Sequence, residues 1–474
     1  MFTASRIRLL VVTCIVLFMA MLDNLVIGVA LPSIQSDLNA SLSDLEWFMN
    51  AYTLAFAVLL IPFSVLGESI GRKKVFLAGV VVFTLGSLLC SLSDSSLALI
   101  LSRALQGVGG AAVVPLSLTL VNSAFPPEKR AAAIGLWSGI SGLGLSVGPL
   151  VGGLIMEGAP WQMIFYVNVP IGVLALLFGL KWLGESRGVR KPLDPVGVLL
   201  LTSGLFGLIF GLERGNSEGW ETPIVVGSLA LGLLLLVLFY FWERTRRVPL
   251  VRFDLFRSRA YFFYTFAGFW MNAGVFGAIF LLTLFLQQAQ GFTPLQAGVR
   301  EMAWTTMTMI AAPLAGLAIS HLGNRNVLMA GLLFQTAALA WFALLIRARG
   351  FDFPFIEMLG PMMLAGTGMG LSFTPLSHGL ISSAPEEAVG EASGVGNATR
   401  ELGGVFGIAI GGLIFQSGSA IRSPQDFADH IVPSLGAGSL MMAIALLGIA
   451  LFVRGRSASG KSAPNAAKQS PSAV

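Results

Sequence analysis

Apolar runs recur along this chain from residue 8 to residue 453, separated only by short polar breaks. A helix of about 20 apolar residues rises far enough to cross ~30 Å of hydrocarbon. Fourteen runs are long enough to be read as spans, at 8–31, 46–66, 75–93, 97–121, 131–156, 163–183, 195–213, 222–242, 262–288, 295–319, 326–346, 354–378, 395–416 and 435–453. With 55% hydrophobic and 11% charged residues among 474, there is too little charge to cover a soluble globule. The expected fold class is an all-α integral membrane protein with fourteen transmembrane helices and no soluble domain between them. The first run is too long for a signal-peptide core and lacks a convincing small-residue cleavage site, which makes it the first span.

The cations sort by side of the membrane. With the N-terminus placed inside, Arg214, Arg347, Arg349 and Arg422 fall outside and Arg103, Arg300 and Arg400 lie within spans, leaving 22 of the 29 Lys and Arg residues on the cytoplasmic side. This follows the positive-inside rule, with Arg347 and Arg349 as the local breach. It accounts for the net charge of +5 without a nucleic-acid partner. The expectation is a multi-pass protein of the cytoplasmic (inner) membrane with both termini in the cytoplasm. Cys14 and Cys90 sit in apolar runs, where packing is the simpler role than bonding. His321, His378 and His430 are scattered without metal-ligand spacing, so no metal is expected.

Two basic connections, Lys181 to Pro195 and Glu243 to Tyr261, divide the runs into six, two and six. The expected units are a six-helix half at 1–190, two additional helices with a basic linker at 191–260, a second six-helix half at 261–455 and a disordered tail at 456–474. An internal echo supports the division. Ser64-Val-Leu-Gly67-Glu68-Ser-Ile-Gly71-Arg72-Lys73 follows the second run, and Gly316-Leu-Ala-Ile-Ser320-His-Leu-Gly323-Asn324-Arg325 follows the second run of the last six. Repeats of this kind let transporters build two halves around a midplane site.

Charges inside spans cost several kcal/mol unless paired or wetted, which makes each a functional candidate. At the helical rise of about 1.5 Å per residue, Asp23 lies ~22 Å above the inner end of the first span and Arg103 ~9 Å below the outer end of the fourth. In a core of ~30 Å these depths nearly coincide, so Asp23 and Arg103 are expected to pair across one cavity. Protonating Asp23 would then release Arg103 and couple a proton to helix position; a purely structural ion pair is the alternative. In the fifth span Gly144, Gly148 and Gly152 recur at four-residue spacing and form a helix stripe without side chains, with Gly153 alongside. Pro149 interrupts the hydrogen-bond ladder beside it. A smooth, bent face suits a helix that slides or rocks, although ordinary small-residue packing is the plainer reading. The turn Gly71-Arg72-Lys73 is explained by topology alone, but Glu68 adds a carboxylate able to pair with a cation or cap a neighbouring helix as a latch.

Together these segments resemble the Major Facilitator Superfamily, and within it the fourteen-span drug:proton antiporters of the EmrB/QacA type. Leu22-Asp23-Asn-Leu-Val-Ile-Gly-Val-Ala30-Leu31-Pro32 is similar to that family's first-span motif. Arg103-Ala-Leu-Gln106-Gly107-Val-Gly-Gly110 resembles its fourth-span motif, whose arginine is implicated in proton coupling. Gly144 to Gly153 fits its fifth-span antiporter motif, and Trp161-Gln-Met-Ile-Phe165-Tyr-Val-Asn168-Val-Pro170-Ile-Gly172 resembles the start of its sixth span. The likeness continues in Asn397-Ala-Thr-Arg400-Glu401-Leu-Gly403-Gly404. It implies a Major Facilitator-like fold and efflux by alternating access. Two departures stand out. Glu68 and Ser69 replace the usual Asp and Arg before the loop glycine, and Ser320, His321 and Asn324 weaken the later copy.

Candidates for the substrate cavity are Gln106, Arg300, Glu301, Trp304, Arg400 and Glu401. Glu301 would attract a cationic drug, whereas its neighbour Arg300 argues for local neutralisation or an anionic or zwitterionic substrate; Arg400 beside Glu401 poses the same question. Met302, Met307, Met309 and Phe373 would suit a pliable apolar pocket or simply face lipid. The expected activity is antiport of a lipophilic small molecule, such as an antibiotic or toxic metabolite, against protons, by a monomer without a cofactor. No Walker-type phosphate loop is present, so the proton gradient is the expected energy source. A proton symporter or uniporter is the rival within transport. A membrane receptor or scaffold would need soluble domains or long tails, and an enzyme would need a convergent nucleophile and base, neither of which is discernible.

Overall fold

The computed structural model describes residues 3–187, 194–247, 249–385, 389–417 and 421–453. Among them all regular structure is helical. The first helices are α1 (Ala4–Leu38), α2 (Leu42–Ile70), α3 (Arg72–Ser91), α4 (Ser96–Ala124), α5 (Pro127–Gly158), the short α6 (Met163–Tyr166) and α7 (Asn168–Trp182). Then come α8 (Pro195–Glu218) and α9 (Pro223–Arg244). The last are α10 (Arg259–Leu284), α11 (Pro294–Leu322), α12 (Asn324–Arg349), α13 (Phe355–Ser382), α14 (Val389–Gln416) and α15 (Pro424–Phe452). The expected boundary at residues 190 and 191 and the tail at 456–474 lie outside the described residues.

Local chemistry sets where the helices begin and turn. Reciprocal side-chain caps start α2 (Ser41 with Asp44), α11 (Thr293 with Gln296) and α15 (Ser423 with Asp426), satisfying backbone N–H groups that the first turn leaves open. The two echoed segments fold alike: a single glycine with positive φ, Gly71 at 137° and Gly323 at 80°, ends one helix and starts the next. That conformation strains any residue with a Cβ. Helix α2 bends by 48° beside Pro62, where the ladder loses an N–H.

Helix packing repeats between the beginning and the end of the chain. In the first set α1 packs on α5, α4 and α7, α2 on α4, and α3 on α4 and α7. In the last set α10 packs on α14, α13 and α15, α11 on α13, and α12 on α13 and α15. Matching α1–α5 and α7 with α10–α15 in order, each of these contacts in one set has its counterpart in the other. The two seams between the sets, α5 on α11 and α2 on α14, are counterparts as well. Helices α8 and α9 pair with each other, and α8 rests on α2 and α14 beside the second seam. On α9, Leu231, Leu233 and Leu234 are 53–59% exposed, as a face turned to lipid would be.

The contacts across the seams gather at one end of the molecule, where α1 finishes. There Gln287 Nε2 donates to Val29 O at 3.0 Å, Gln288 Nε2 to Gln35 Oε1 at 2.7 Å and Gln416 Nε2 to Glu46 Oε1 at 3.1 Å. One apolar cluster runs through this end, joining Val26, Leu31, Phe48 and Phe165 to residues of the last set. At the opposite end the core around Leu9, Val12, Phe76 and Val121 is built from the first set alone. The sets are therefore fused at this end, whereas the described core at the opposite end of the first set draws on no residue of the last.

Eleven helices among the described residues are long and apolar enough to cross a membrane, or twelve with the bent α2 as one span, against the fourteen expected. The shortfall falls on α5, where only Val147–Gly158 qualifies as a shorter apolar helix, and on α13, whose Gly, Pro, Ser and Thr content dilutes its hydropathy.

Close helix approach makes specific glycines irreplaceable. A Cβ on Gly407 of α14 would land on the backbone of Ala273 in α10, whereas one on Gly436 meets nothing within 4 Å. Gly407→Val is expected to cost about 2 kcal/mol or more through overpacking, read as a lower unfolding temperature in detergent, while Gly436→Ala leaves that temperature unchanged.

Candidate functional site

Asp23 and Arg103 meet in the core of the first set. Arg103 Nη1 donates to Asp23 Oδ2 at 2.6 Å, and the two residues are 1% and 0% exposed. Burying two charges is tolerable only when further donors and acceptors meet them, and here several do. Arg103 Nη1 also donates to Gln106 Oε1 at 2.6 Å and its Nε to Phe48 O at 2.9 Å. Asp23 Oδ1 accepts from Gln106 Nε2 and from Asn168 Nδ2, both at 2.8 Å. Gln106 Nε2 reaches Ser87 Oγ at 2.8 Å. The guanidinium lies over the Tyr52 ring at 4.5 Å and near Phe165 at 5.7 Å. Five helical elements, α1, α2, α3, α4 and the α6–α7 junction, each deliver a partner to this network.

The sequence reading brought Asp23 and Arg103 together correctly but assigned Gln106 to a substrate cavity. Gln106 is fully buried and bridges the ion pair. Asn168, Ser87, Tyr52 and the Phe48 carbonyl were not anticipated as partners. Asn168 stood in a quoted motif, so its position was visible, but a backbone carbonyl carries no sequence signal at all.

The glycine stripe of α5 rests on α1: Gly144 lies against Phe18 and Met21, Gly148 against Leu22 and Leu25, and Gly152 against Val26. Its other side meets α11, with Gly153 against Pro294 and Leu295 and the Pro149 carbonyl against Gly298. Helix α5 is thus wedged between the set that holds Asp23 and the facing set. The stripe itself packs within its own set, and Pro149 and Gly153 form the seam.

At the α2–α3 turn Glu68 forms a two-pronged pair with Arg72, at 2.8 Å to Nη2 and 3.0 Å to Nε. The neighbouring helix start is capped by Glu185, a residue the sequence reading passed over: its Oε1 accepts from Lys73 N at 3.0 Å. Lys73 Nζ donates to Leu180 O at 2.9 Å, and Gly71 leaves room for the Glu185 carboxylate, which a Cβ would meet at 2.7 Å. Gly67 gives space to Leu116. These contacts tie α3 to α2, to α7 and to the segment after α7, and α2 to α4. The residues expected to form a latch therefore make their contacts within the first set.

The substrate candidates divide. Adjacent residues on a helix point about 100° apart and do not naturally face each other. Arg300 turns onto the rings of Phe292 (3.7 Å) and Phe355 (5.1 Å), while Glu301 accepts from Thr283 Oγ1 at 2.6 Å. Local neutralisation by Arg300 is therefore not what this structure contains. Thr283 is in turn next to Gly28 of α1 across the seam. Arg400 and Glu401 do pair, at 3.5 Å, with 21% and 14% of their side chains exposed halfway along α14 and Arg400 over Phe373. Trp304 is buried, with Gly366 of α13 pressed on its backbone, and belongs to the core rather than to an open surface. Met309 is 42% exposed.

Another buried acid escaped the sequence reading. Glu46 is fully buried at the α2–α14 seam, where Gln416 donates to it and Gly412 packs on it. Its place as the first residue of the second apolar run masked it, because α2 begins earlier, at Leu42.

Removing one member of a buried pair strands the other. Arg103→Met is expected to destabilise the protein by about 3–5 kcal/mol, and the Asp23→Asn/Arg103→Met double variant to recover part of that loss, measured as unfolding temperatures of the purified variants.

Known proteins bear on what this arrangement does. Residues 13–408 match the family model of the Major Facilitator Superfamily. The chain is 34% identical over 420 residues to a tetracenomycin C resistance and export protein of Streptomyces glaucescens, covering 88% of this chain and 77% of that one. It is 33% identical over 415 residues to the multidrug resistance protein Stp of Mycobacterium tuberculosis, covering 86% and 76%. In fold it is similar to a bacterial homolog of the human lysosomal transporter Spinster, solved in an inward-facing and unoccupied conformation, with a TM-score of 0.67, 16% identity and coverage of 95% and 98%. This multi-pass membrane chain therefore belongs to the Major Facilitator Superfamily, a family of transporters and not of enzymes.

Proposed function

We propose that the protein exports lipophilic small molecules from the cytoplasm in exchange for protons, as a fourteen-span antiporter of the EmrB/QacA type. The observation that carries the reading is the sealed Asp23–Arg103 pair in the first set. A charge buried between five helical elements changes its protonation readily only when those helices move, which ties a proton to conformation. Relatives named for antibiotic resistance and export support the direction of transport. On this reading α1–α7 and α10–α15 are two six-helix halves at 1–190 and 261–455, and α8 and α9 are the two additional spans. The protein works as a monomer, and the proton gradient of the cell membrane drives it.

With the N-terminus in the cytoplasm, as the cation distribution supports, the fused end faces outward, and on this reading the opposite end opens inward. The structure then corresponds to the state that loads substrate from the cytoplasm and the inner leaflet. Glu301, whose partner is Thr283 and not Arg300, is the carboxylate offered to a basic group on the substrate. The paired Arg400 and Glu401 keep their exposed surface as neutral-sum contacts.

The test is substrate-induced proton release from inside-out vesicles, with a panel of cationic, neutral and anionic antibiotics. Wild type should collapse an imposed proton gradient with at least one class, Asp23→Asn should lose the response to all, and Glu301→Gln should lose the cationic compounds selectively. Accumulation driven the other way would instead establish import. Cysteines placed at Gln35 and Gln288 and joined by a short bifunctional reagent should stop transport, and cleaving the link should restore it, because that pair bridges the fused end.

A further inference from the structure

The two oxygens of Asp23 are not equivalent. Oδ1 accepts one N–H from Gln106 and one from Asn168, each at 2.8 Å, which occupies both of its lone-pair directions. Oδ2 faces Arg103 Nη1 at 2.6 Å. The amide orientations follow from chemistry. Arginine can only donate, so the Gln106 atom 2.6 Å from Nη1 is its oxygen, and the NH₂ must face Asp23 and Ser87. A carboxylate can only accept, so Asn168 likewise presents its NH₂. Asn168 reaches α1 from the first residue of α7, immediately after the interruption at Val167 that separates it from α6.

We propose that Asn168, together with Gln106, is a positioning residue that decides which oxygen of Asp23 receives the proton, so that protonation weakens the contact with Arg103. With Oδ1 filled by two amide donors, the incoming proton bonds to a lone pair of Oδ2. That proton takes the lone pair of Oδ2 that Arg103 leaves open, and turns Oδ2 from a charged carboxylate oxygen into the hydroxyl oxygen of a neutral acid, a much weaker acceptor, so the contact with Arg103 is weakened at the atom that makes it. No other bond changes: Arg103 stays protonated and keeps Gln106 Oε1 and Phe48 O. Were Oδ1 open, a proton would settle there, Oδ2 would keep Arg103, and protonation would be silent. This inference rests on the reading of Asp23 as the coupling carboxyl.

The other groups around Asp23 leave this assignment intact. Arg103 of α4 is the cation in contact with it. Tyr52 of α2 and Cys90 of α3 touch the network through Arg103 and Gln106, the cysteine at 3.8 Å from Gln106 Oε1. From α5, Gly144 and Gly148 line the adjoining stretch of α1. From the last set, Thr283 of α10 with Glu301 of α11 approaches α1 at Gly28, more than a turn further along.

Infrared difference spectroscopy between acidic and alkaline pH, on the full-length protein reconstituted in lipid with isotope-labelled arginine, separates the possibilities. Wild type should show a protonated-carboxyl C=O band at the low wavenumber of a doubly hydrogen-bonded carbonyl, accompanied by a shift of guanidinium bands, and Asp23→Asn should lack both. In Asn168→Leu the carboxyl band should persist at higher wavenumber while the guanidinium shift is lost, and Asn168→Ser, which restores a donor, should recover part of it. If Asn168→Leu does not fold, Asn168→Ala is read in the same way. A carboxyl band and guanidinium shift unchanged in the folded Leu or Ala variant would overturn the role of Asn168 and leave Asp23 as the coupling group. Absence of any Asp23-dependent band in wild type would overturn both readings.

Discussion

Withdrawing a carboxylate and a guanidinium from water costs several kcal/mol for each ion, and much of the first helix set is arranged so that Asp23 and Arg103 can bear it. Both carboxylate oxygens and two guanidinium nitrogens have partners, and the partners come from helices that are distant in sequence: Asn168 lies 145 residues from Asp23, and Phe48 lies 55 from Arg103. Such a network is stable only while α1, α2, α3, α4 and the α6–α7 junction keep their relative positions. On the proposed reading the same property makes it a sensor. A change of one proton alters the balance for all of these elements at once, where a surface pair would be screened and contribute little.

Lipid offers no hydrophobic gain for bringing helices together, so close approach must come from shape. The glycines on the seams and within the sets supply it. Gly148 and Gly152 let α1 lie on α5, Gly298 admits the Pro149 carbonyl, and Gly407 admits the backbone of Ala273. Because the two sets repeat the same pairings, the seams α5–α11 and α2–α14 are also counterparts. An assembly of that kind can rock about its seams without repacking either set, which is the mechanical requirement of alternating access. At the fused end, polar links such as Gln288 with Gln35 are neutral and reversible, suited to breaking and reforming.

The charged residues of the facing set show why adjacency in sequence is a poor guide to pairing. Arg300 and Glu301 are neighbours in the chain, yet a helix sends them in different directions, one onto aromatic rings and the other onto Thr283. Arg400 and Glu401, with the same spacing, fold back onto each other, with Phe373 stacked on the arginine. The difference lies in the neighbouring helices: α10 offers Thr283 a hydrogen bond's length from Glu301, so that carboxylate need not bend back to its own arginine.

The order of apolar runs determined a helical membrane protein, because hydrocarbon admits few alternatives for a backbone that must satisfy its own hydrogen bonds. The depths of Asp23 and Arg103 determined that they could meet, since a regular helical rise converts residue counts into height. The echo around Gly71 and Gly323 was legible for a similar reason: φ values of 137° and 80° between two helices favour glycine, and it stands at both places in the sequence. Tertiary structure decided the rest. Height along a helix carries no information about azimuth, so the partners of Asp23 beyond Arg103, the burial of Glu46 and Trp304, the parting of Arg300 from Glu301 and the joining of the two sets at one end only became visible when the helices were placed around one another.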